Sequence, residues 1–404
     1  MVKPELLAPA GDPEKLKVAI AYGADAVYIG GKKFGLRAGA GNLTTEEIRD
    51  CANYAHARGV KIYVTVNIFA HNKDLEELPD YLKTLQKCQV DAVIISDPGV
   101  LAVTRDTVPG LSVHLSTQAN TTNWQSARFW AQAGVERIVL ARELTLEEIK
   151  EFHLKAKVDL ECFVHGAMCI SYSGRCLLSN YFTGRDANKG DCAQACRWRY
   201  TLVEEKRPGL YLPIIEEDRG TYILSSQDLC LIEYIPELIN AGVISFKIEG
   251  RMKSVHYVAG VVKAYREAID TFISAPEKYK LNPRWLDYIS KVSNRDFTTG
   301  FLFGHPAQPA HYTTEKLYRR DYSFVGIVRG YDRQKKMTVV EQRNRFFAGD
   351  EVEIFFPHGD SVTLVVPTMY DEEGNEVYAA PHPQQILYLP VAELPPYTML
   401  RKPV

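Results

Sequence analysis

The chain has 404 residues, 46% apolar and 24% charged, an ordinary composition for a globular protein long enough to bury its core without disulfides. Lysine plus arginine number 48 against 50 for aspartate plus glutamate, a formal net charge of −2. That excludes nucleic-acid binding through overall charge and leaves only a local basic patch. Eight cysteines are too sparse for a disulfide scaffold. No stretch approaches the roughly 18 consecutive apolar residues of a membrane span. Met1–Gly11, interrupted by Pro4 and Pro9, does not read as a signal peptide. The expected compartment is the cytoplasm, with no membrane partner.

Residues 1–272 repeat one grammar, a short apolar strand ending in polar or glycine residues and then an amphipathic helix. Strands are expected at Glu5–Pro9, Ala26–Gly30, Lys61–Asn67, Ala92–Ser96, Ser112–Thr117, Arg137–Ala141, Leu160–Val164, Tyr222–Ser225 and Ser245–Glu249. Three follow a helix that stops at a capping glycine, in Tyr22-Gly23-Ala24-Asp25, Ala133-Gly134-Val135-Glu136 and Ala241-Gly242-Val243-Ile244. Alternating strands and helices imply βαβ units and a parallel sheet, and close to eight of them imply an α/β fold, a (β/α)8 TIM-like barrel. Nine candidates is one too many. Tyr222–Ser225 is the weakest and reads equally as a hairpin partner of Tyr200–Val203. No G-x-G-x-x-G follows the first strand, which argues against a dinucleotide fold.

The grammar breaks at residues 167–221, a cysteine-rich insertion on the C-terminal side of a strand, where long insertions are usually functional. Residues 273–320 read as a connector with four prolines. Residues 321–404 switch to strand alternation at Tyr322–Arg329, Lys336–Glu341, Glu351–Phe356 and Ser361–Val366, which suggests a small C-terminal antiparallel β-barrel domain.

Cys169, Cys176, Cys192 and Cys196 form a C-x6-C-x15-C-x3-C series in the insertion. Thiolates are soft ligands, and zinc sites usually show two short knuckles where this series has one. The spacing therefore favours a [4Fe–4S] cluster, with zinc or free buried cysteines as the alternatives. Cys51, Cys88 and Cys162 sit in helix or strand patterns, and Cys230 lies farther along. At the strand ends, where such a barrel builds its active site, stand Gln118, Arg142, His165, Lys247, Glu249 and Arg251. The cations suit an acidic small molecule, although Arg142–Glu143 and Lys247–Glu249 could pair with each other. Gly35–Asn42 carries three glycines and Arg37, which could meet an anion before the helix start at Thr44. Lys316, Arg319, Arg320 and Arg329, interleaved with Tyr318 and Tyr322, suit RNA or an ordinary solvated face.

Glu161-Cys162-Phe163-Val164-His165-Gly166-Ala167-Met168-Cys169, then Gly174-Arg175-Cys176-Leu177-Leu178-Ser179, resembles the signature of peptidase family U32. Ser116–Asn120, Lys247–Ser254 and the final β domain extend the resemblance over nearly the whole chain. The cysteine spacing followed by Arg197-Trp198 looks like the branch that hydroxylates tRNA. The resemblance implies 5-hydroxyuridine formation at the tRNA wobble position, a requirement for prephenate, and an iron–sulfur cluster on Cys169, Cys176, Cys192 and Cys196. Related members have a cysteine after a Ser-x-x-Asp-Leu stretch, so Cys230 could replace Cys196. The implied partners are the tRNA anticodon arm, prephenate and, for a cluster-bearing scaffold subunit without its own catalysis, a further protein. The collagenase-like peptidase reading lacks H-E-x-x-H and G-x-S-x-G, and Cys162 and His165, three apart on a strand, would point to opposite faces.

Overall fold

The computed structural model describes residues 3–35, 41–168, 178–185, 191–195, 202–203, 211–212, 215–217, 220–222, 227–292, 295–304 and 319–404. Strands and helices alternate from the start: β1 (Glu5–Pro9), α1 (Pro13–Ala21), β2 (Ala26–Gly30), α2 (Thr45–His56), β3 (Lys61–Val66), α3 (Asn72–Lys87), β4 (Ala92–Ile95), α4 (Pro98–Thr107), β5 (Ser112–Leu115), α5 (Trp124–Gln132), β6 (Arg137–Val139), α6 (Leu146–Ala156) and β7 (Asp159–Ala167). The insertion holds α7 (Leu178–Thr183) and two short hairpins, β8–β9 (Leu202–Val203 with Tyr211–Leu212) and β10–β11 (Ile215–Glu217 with Gly220–Tyr222). Then come β12 (Asp228–Cys230), α8 (Ile235–Asn240), β13 (Ser245–Ile248) and α9 (Val255–Ser274). Strands β1 to β7 pair in parallel order, and β13 pairs in parallel with both β7 and β1, which closes an eight-stranded barrel.

Local chemistry explains the boundaries. Helix α1 starts at Asp12, whose carboxylate accepts from the Lys15 amide, with Pro13 in the first turn. Thr44 and Glu47 form a reciprocal capping box that opens α2. The three capping glycines hold φ of +102° (Gly23), +96° (Gly134) and +87° (Gly242), which a side chain would strain. Tyr222 lies outside the barrel, but its strand pairs with Ile215–Glu217 and not with Tyr200–Val203; residues 223–226 lie outside the described set. The ninth candidate is thereby removed and β13 takes the eighth place.

Past its barrel half, β7 continues to Ala167 and pairs antiparallel with β12, which in turn pairs with β14 (Phe297–Thr298). The expected connector is partly regular: α10 (Pro283–Ser290), capped by Asn282, packs beside α9. Pro283 stands in its first turn, where proline is tolerated.

The C-terminal unit contains β15 (Tyr322–Asp332), β16 (Met337–Gln342), β17 (Phe346–Phe347), β18 (Glu351–Phe355), β19 (Val362–Val365), β20 (Met369–Tyr370), β21 (Glu376–Val377), β22 (Ala379–Ala380), β23 (Ile386–Leu389) and β24 (Met399–Pro403). Its main antiparallel sheet runs β19-β18-β24-β15-β16-β23-β20-β21, with β17–β22 beside it, around a core that includes Val325, Phe346, Ile354 and Leu400. The unit docks on α1, α9 and α10. The Tyr22 hydroxyl lies 2.9 Å from the Phe355 carbonyl, and Lys263 donates to the carbonyls of Phe356 (2.8 Å) and Gly359 (2.7 Å). Arg401, fully buried, donates to Glu353 at 2.8 Å and lies 3.4 Å from His256, which stacks on Phe324.

Two buried imidazoles make the fold acid-sensitive. Burial, reinforced by Arg137 and by Arg401, pushes His114 and His256 down to about 3. Both stay neutral in the fold, whereas the unfolded chain protonates them below about pH 6.5, so their contribution is full above that pH and is lost as pH falls toward 3. At pH 5 each costs about 2 kcal/mol relative to pH 7. Denaturant unfolding at the two pH values should show this loss, and a His114→Gln, His256→Gln double variant should flatten the slope.

Candidate functional site

The barrel interior is divided. Leu7, Ala26, Tyr28, Tyr63, Ala92 and Ile94 fill one side with apolar surface. The seam where β6, β7, β13 and β1 meet carries charge instead. Glu161 on β7, fully buried, accepts from Lys247 on β13 at 2.7 Å and lies 3.4 Å from Arg137 on β6. Arg137 reaches Glu5 on β1 at 2.5 Å, and the Ser245 hydroxyl lies 3.1 Å from both carboxylates. Burial pushes the Glu161 carboxyl up, but Lys247 and Arg137 outweigh it and hold the group below the ordinary carboxylate range. Two cations and two anions thus share one dry compartment.

The C-terminal rim lies above this network. Lys247 sits inside the barrel, under the rings of Tyr28 (4.7 Å) and Phe163 (5.5 Å). Arg142 lies over Phe163 at 4.1 Å, donates to the Ala167 carbonyl at 2.7 Å and is 3.6 Å from Glu249. The ion pairs therefore cross between elements, Arg142 to Glu249 and Lys247 to Glu161, and not between sequence neighbours. The register shift between Lys247 and Ile248 and the left-handed Gly166 (φ +110°) permit this, because a Cβ at Gly166 would come within 2.9 Å of the Glu249 side chain. Gln118 stands on a turn capped by Ser116 and accepts from Asn67 at 2.8 Å. Arg251, 3% exposed, donates to Asn42 at 2.6 Å. The end of the glycine-rich segment thus meets the rim, while Arg37 lies outside the described residues.

His165 is set apart from this rim. Its ring packs among Tyr257, Tyr265 and Phe297 at 5.6–6.0 Å, and its carbonyl accepts from the Glu249 amide at 2.8 Å. Burial pushes the imidazole down to about 4. Burial also pushes the Cys162 thiol up to about 12. A neutral thiol and a neutral imidazole are the opposite of the thiolate–imidazolium pair a cysteine peptidase requires.

Cys51, Cys88 and Cys162 are buried core residues, as their patterns suggest. Cys230 is also buried, opposite His165 in the β7–β12 register and 4.0 Å from the Tyr265 hydroxyl. Cys169, Cys176 and Cys196 lie outside the described residues. Cys192 is exposed on a turn whose Ala193 amide donates to Ser179 at 2.8 Å, and the Cys192 sulfur accepts from the Gln194 amide at 3.4 Å. An exposed cysteine sulfur that receives a backbone amide fits a cluster ligand, because such bonds stabilise cluster sulfurs. Of the basic run, Lys316 and Tyr318 lie outside the described residues, Arg319 pairs with Asp296 at 2.8 Å, and Arg320 is exposed. Arg329 is a correction: it is committed to Glu14 (2.5 Å) and Glu341 (2.7 Å) where the two units meet.

Sequence reading did not single out Glu5, Asn42, Asn67, Arg137 or Glu161. Their signal was available as charged or amide residues at inward positions of otherwise apolar strands, where a charge is retained only if paired.

Family models match in two pieces, peptidase family U32 over residues 11–312 and the peptidase family U32 C-terminal domain over residues 320–401. The chain is 47% identical to tRNA hydroxylation protein P1 of Bacillus subtilis, covering 99% of this chain and 95% of that protein. It is 36% identical to tRNA hydroxylation protein P of Escherichia coli, covering 97% and 95%. It is 40% identical to the 23S rRNA 5-hydroxycytidine C2501 synthase of Escherichia coli, covering 67% of this chain and 40% of that protein.

Removing Glu161 strands two buried cations. Glu161→Ala is expected to cost about 3–5 kcal/mol of unfolding free energy. Glu249→Ala, at the more exposed rim, is expected to cost about 1 kcal/mol or less. Denaturant titration of both variants beside the parent checks the ranking.

Proposed function

The chain belongs to peptidase family U32, and from that premise we propose that it is a tRNA-modifying enzyme that forms 5-hydroxyuridine at the wobble position. The observation that carries the reading is full-length similarity to a protein named for tRNA hydroxylation, 47% identical over 99% of this chain. The relative named for 5-hydroxycytidine in 23S rRNA supports hydroxylation of a pyrimidine ring as the shared reaction. An unpaired wobble base is accessible without opening a duplex. With a net charge of −2, tRNA contact is confined to a patch, for which exposed Arg320 and the barrel rim are candidates.

Prephenate would enter the rim as the co-substrate. Its carboxylates call for cations, and Arg142 and Arg251 are the guanidinium groups the strand ends bring there. Glu249 and the Ala167 carbonyl orient Arg142, Gln118 and Asn67 supply an amide pair on the opposite strands, and Lys247 with Glu161 forms the charged floor. Arg37 and His165 complete the proposed binding set by sequence position.

Cys169, Cys176, Cys192 and Cys196 would hold a [4Fe–4S] cluster, which supplies a one-electron centre when bound. The reading places the protein in the cytoplasm, where tRNA is modified; no described helix is long and apolar enough to cross a membrane.

Two measurements test this. In a strain lacking the protein and any paralogue, nucleoside analysis of tRNA should show wobble 5-hydroxyuridine lost and restored by the wild-type gene; an unchanged level overturns the proposal. In anaerobically purified protein, alanine at Cys169, Cys176 or Cys192 should abolish bound iron. Alanine at Cys196 should do the same while Cys230→Ala keeps its iron; the reverse makes Cys230 the fourth ligand.

A further inference from the structure

Arg251 is seated on glycine from two neighbouring strand ends. Its backbone carbonyl rests against Gly11, just past β1, where a Cβ would collide with it. Its guanidinium lies across Gly30, the last residue of β2, where a Cβ would come within 2.6 Å of the guanidinium carbon. Neither glycine has a left-handed φ, so backbone conformation does not require glycine at these positions. The requirement is the volume occupied by Arg251. Asn42, closing the glycine-rich segment, accepts from Nη2 at 2.6 Å, and Nη1 lies 3.4 Å from the Thr65 hydroxyl on β3.

A free arginine side chain loses considerable rotamer freedom when it grips a carboxylate. Here that freedom is lost on folding, so the cation is already fixed when a ligand arrives. Asn42 suits the task because it orients the guanidinium through a neutral acceptor. A carboxylate at the same place would hold the side chain equally well and cancel its charge.

We propose that Gly30 and Asn42 are positioning residues that fix Arg251 for the carboxylate of an anionic co-substrate. The inference rests on the reading that Arg251 meets that anion. It explains why a glycine-rich segment follows β2: its end caps an arginine.

The test is calorimetric titration of prephenate into the full-length, anaerobically purified protein, with unfolding midpoints measured in parallel. Arg251→Ala should weaken binding about 100-fold. Gly30→Ala, which displaces the guanidinium, and Asn42→Ala should each weaken it about 10-fold with unfolding midpoints near the parent's. Asn42→Asp is the discriminating variant: it keeps the hydrogen bond and the stability yet should weaken prephenate binding at least as much as Asn42→Ala. A merely structural Asn42 would be rescued by aspartate, and that result overturns the inference. If Arg251→Ala binds like the parent, the underlying assignment of Arg251 fails. If Arg251→Ala loses binding while Gly30→Ala and Asn42→Ala retain it, only the positioning role fails. Should Gly30→Ala not fold, the Asn42 pair decides alone.

Discussion

Glu161, buried in the seam where β7, β13 and β6 meet, holds Lys247 and Arg137 at once, and Glu5 across the barrel holds Arg137 from the other side. Charges in so dry a compartment are tolerated only when each has a partner, so these four side chains fix the relative height of the strands that bear them. The strands in question include β13, whose pairing with β7 and β1 closes the ring. A slip of one residue would turn Glu161 and Lys247 to the apolar helix layer, a far larger penalty than a misplaced leucine. The rim inherits this register. Arg142, Glu249 and Arg251 stand where they do because the strands beneath them cannot slide.

The second unit adds rigidity from outside. Glu14 at the start of α1 receives Arg329 and Arg343, Tyr22 at its end reaches the Phe355 carbonyl, and Lys263 on α9 donates to two carbonyls of the sheet. Helix α1 follows the strand end that carries Gly11, and α9 follows the loop that carries Arg251. The docked sheet thereby braces the two helices that flank the Arg251 seat. Polar bonds that are buried and directional suit this task better than a greasy contact, because they specify one orientation.

Much of the barrel was legible in the sequence because its cues are local. Period-two apolar runs, the Thr44–Glu47 cap and the glycines at 23, 134 and 242 each act within a few residues. The hairpin of Tyr222 and helix α10 were missed because short elements carry little periodicity and proline-rich stretches also start helices. At the site, sequence position found Arg142, Glu249 and Arg251 but paired them wrongly. Lys247 and Glu249 are two apart in the chain, yet a register shift between Lys247 and Ile248 separates their environments. Long-range partners such as Glu161 for Lys247, 86 residues apart, and Asn42 for Arg251, 209 apart, are set by barrel closure and leave no local trace.

The central claim is that the chain itself hydroxylates tRNA. Its most direct test is reconstitution: anaerobically purified, cluster-loaded protein mixed with unmodified tRNA and prephenate, the wobble nucleoside then read by mass spectrometry. The account predicts a mass gain of one oxygen atom on that uridine, dependent on both the protein and prephenate. Loaded, folded protein that binds the tRNA but leaves the nucleoside unchanged unless another protein is added would contradict it and assign the chain a scaffold role.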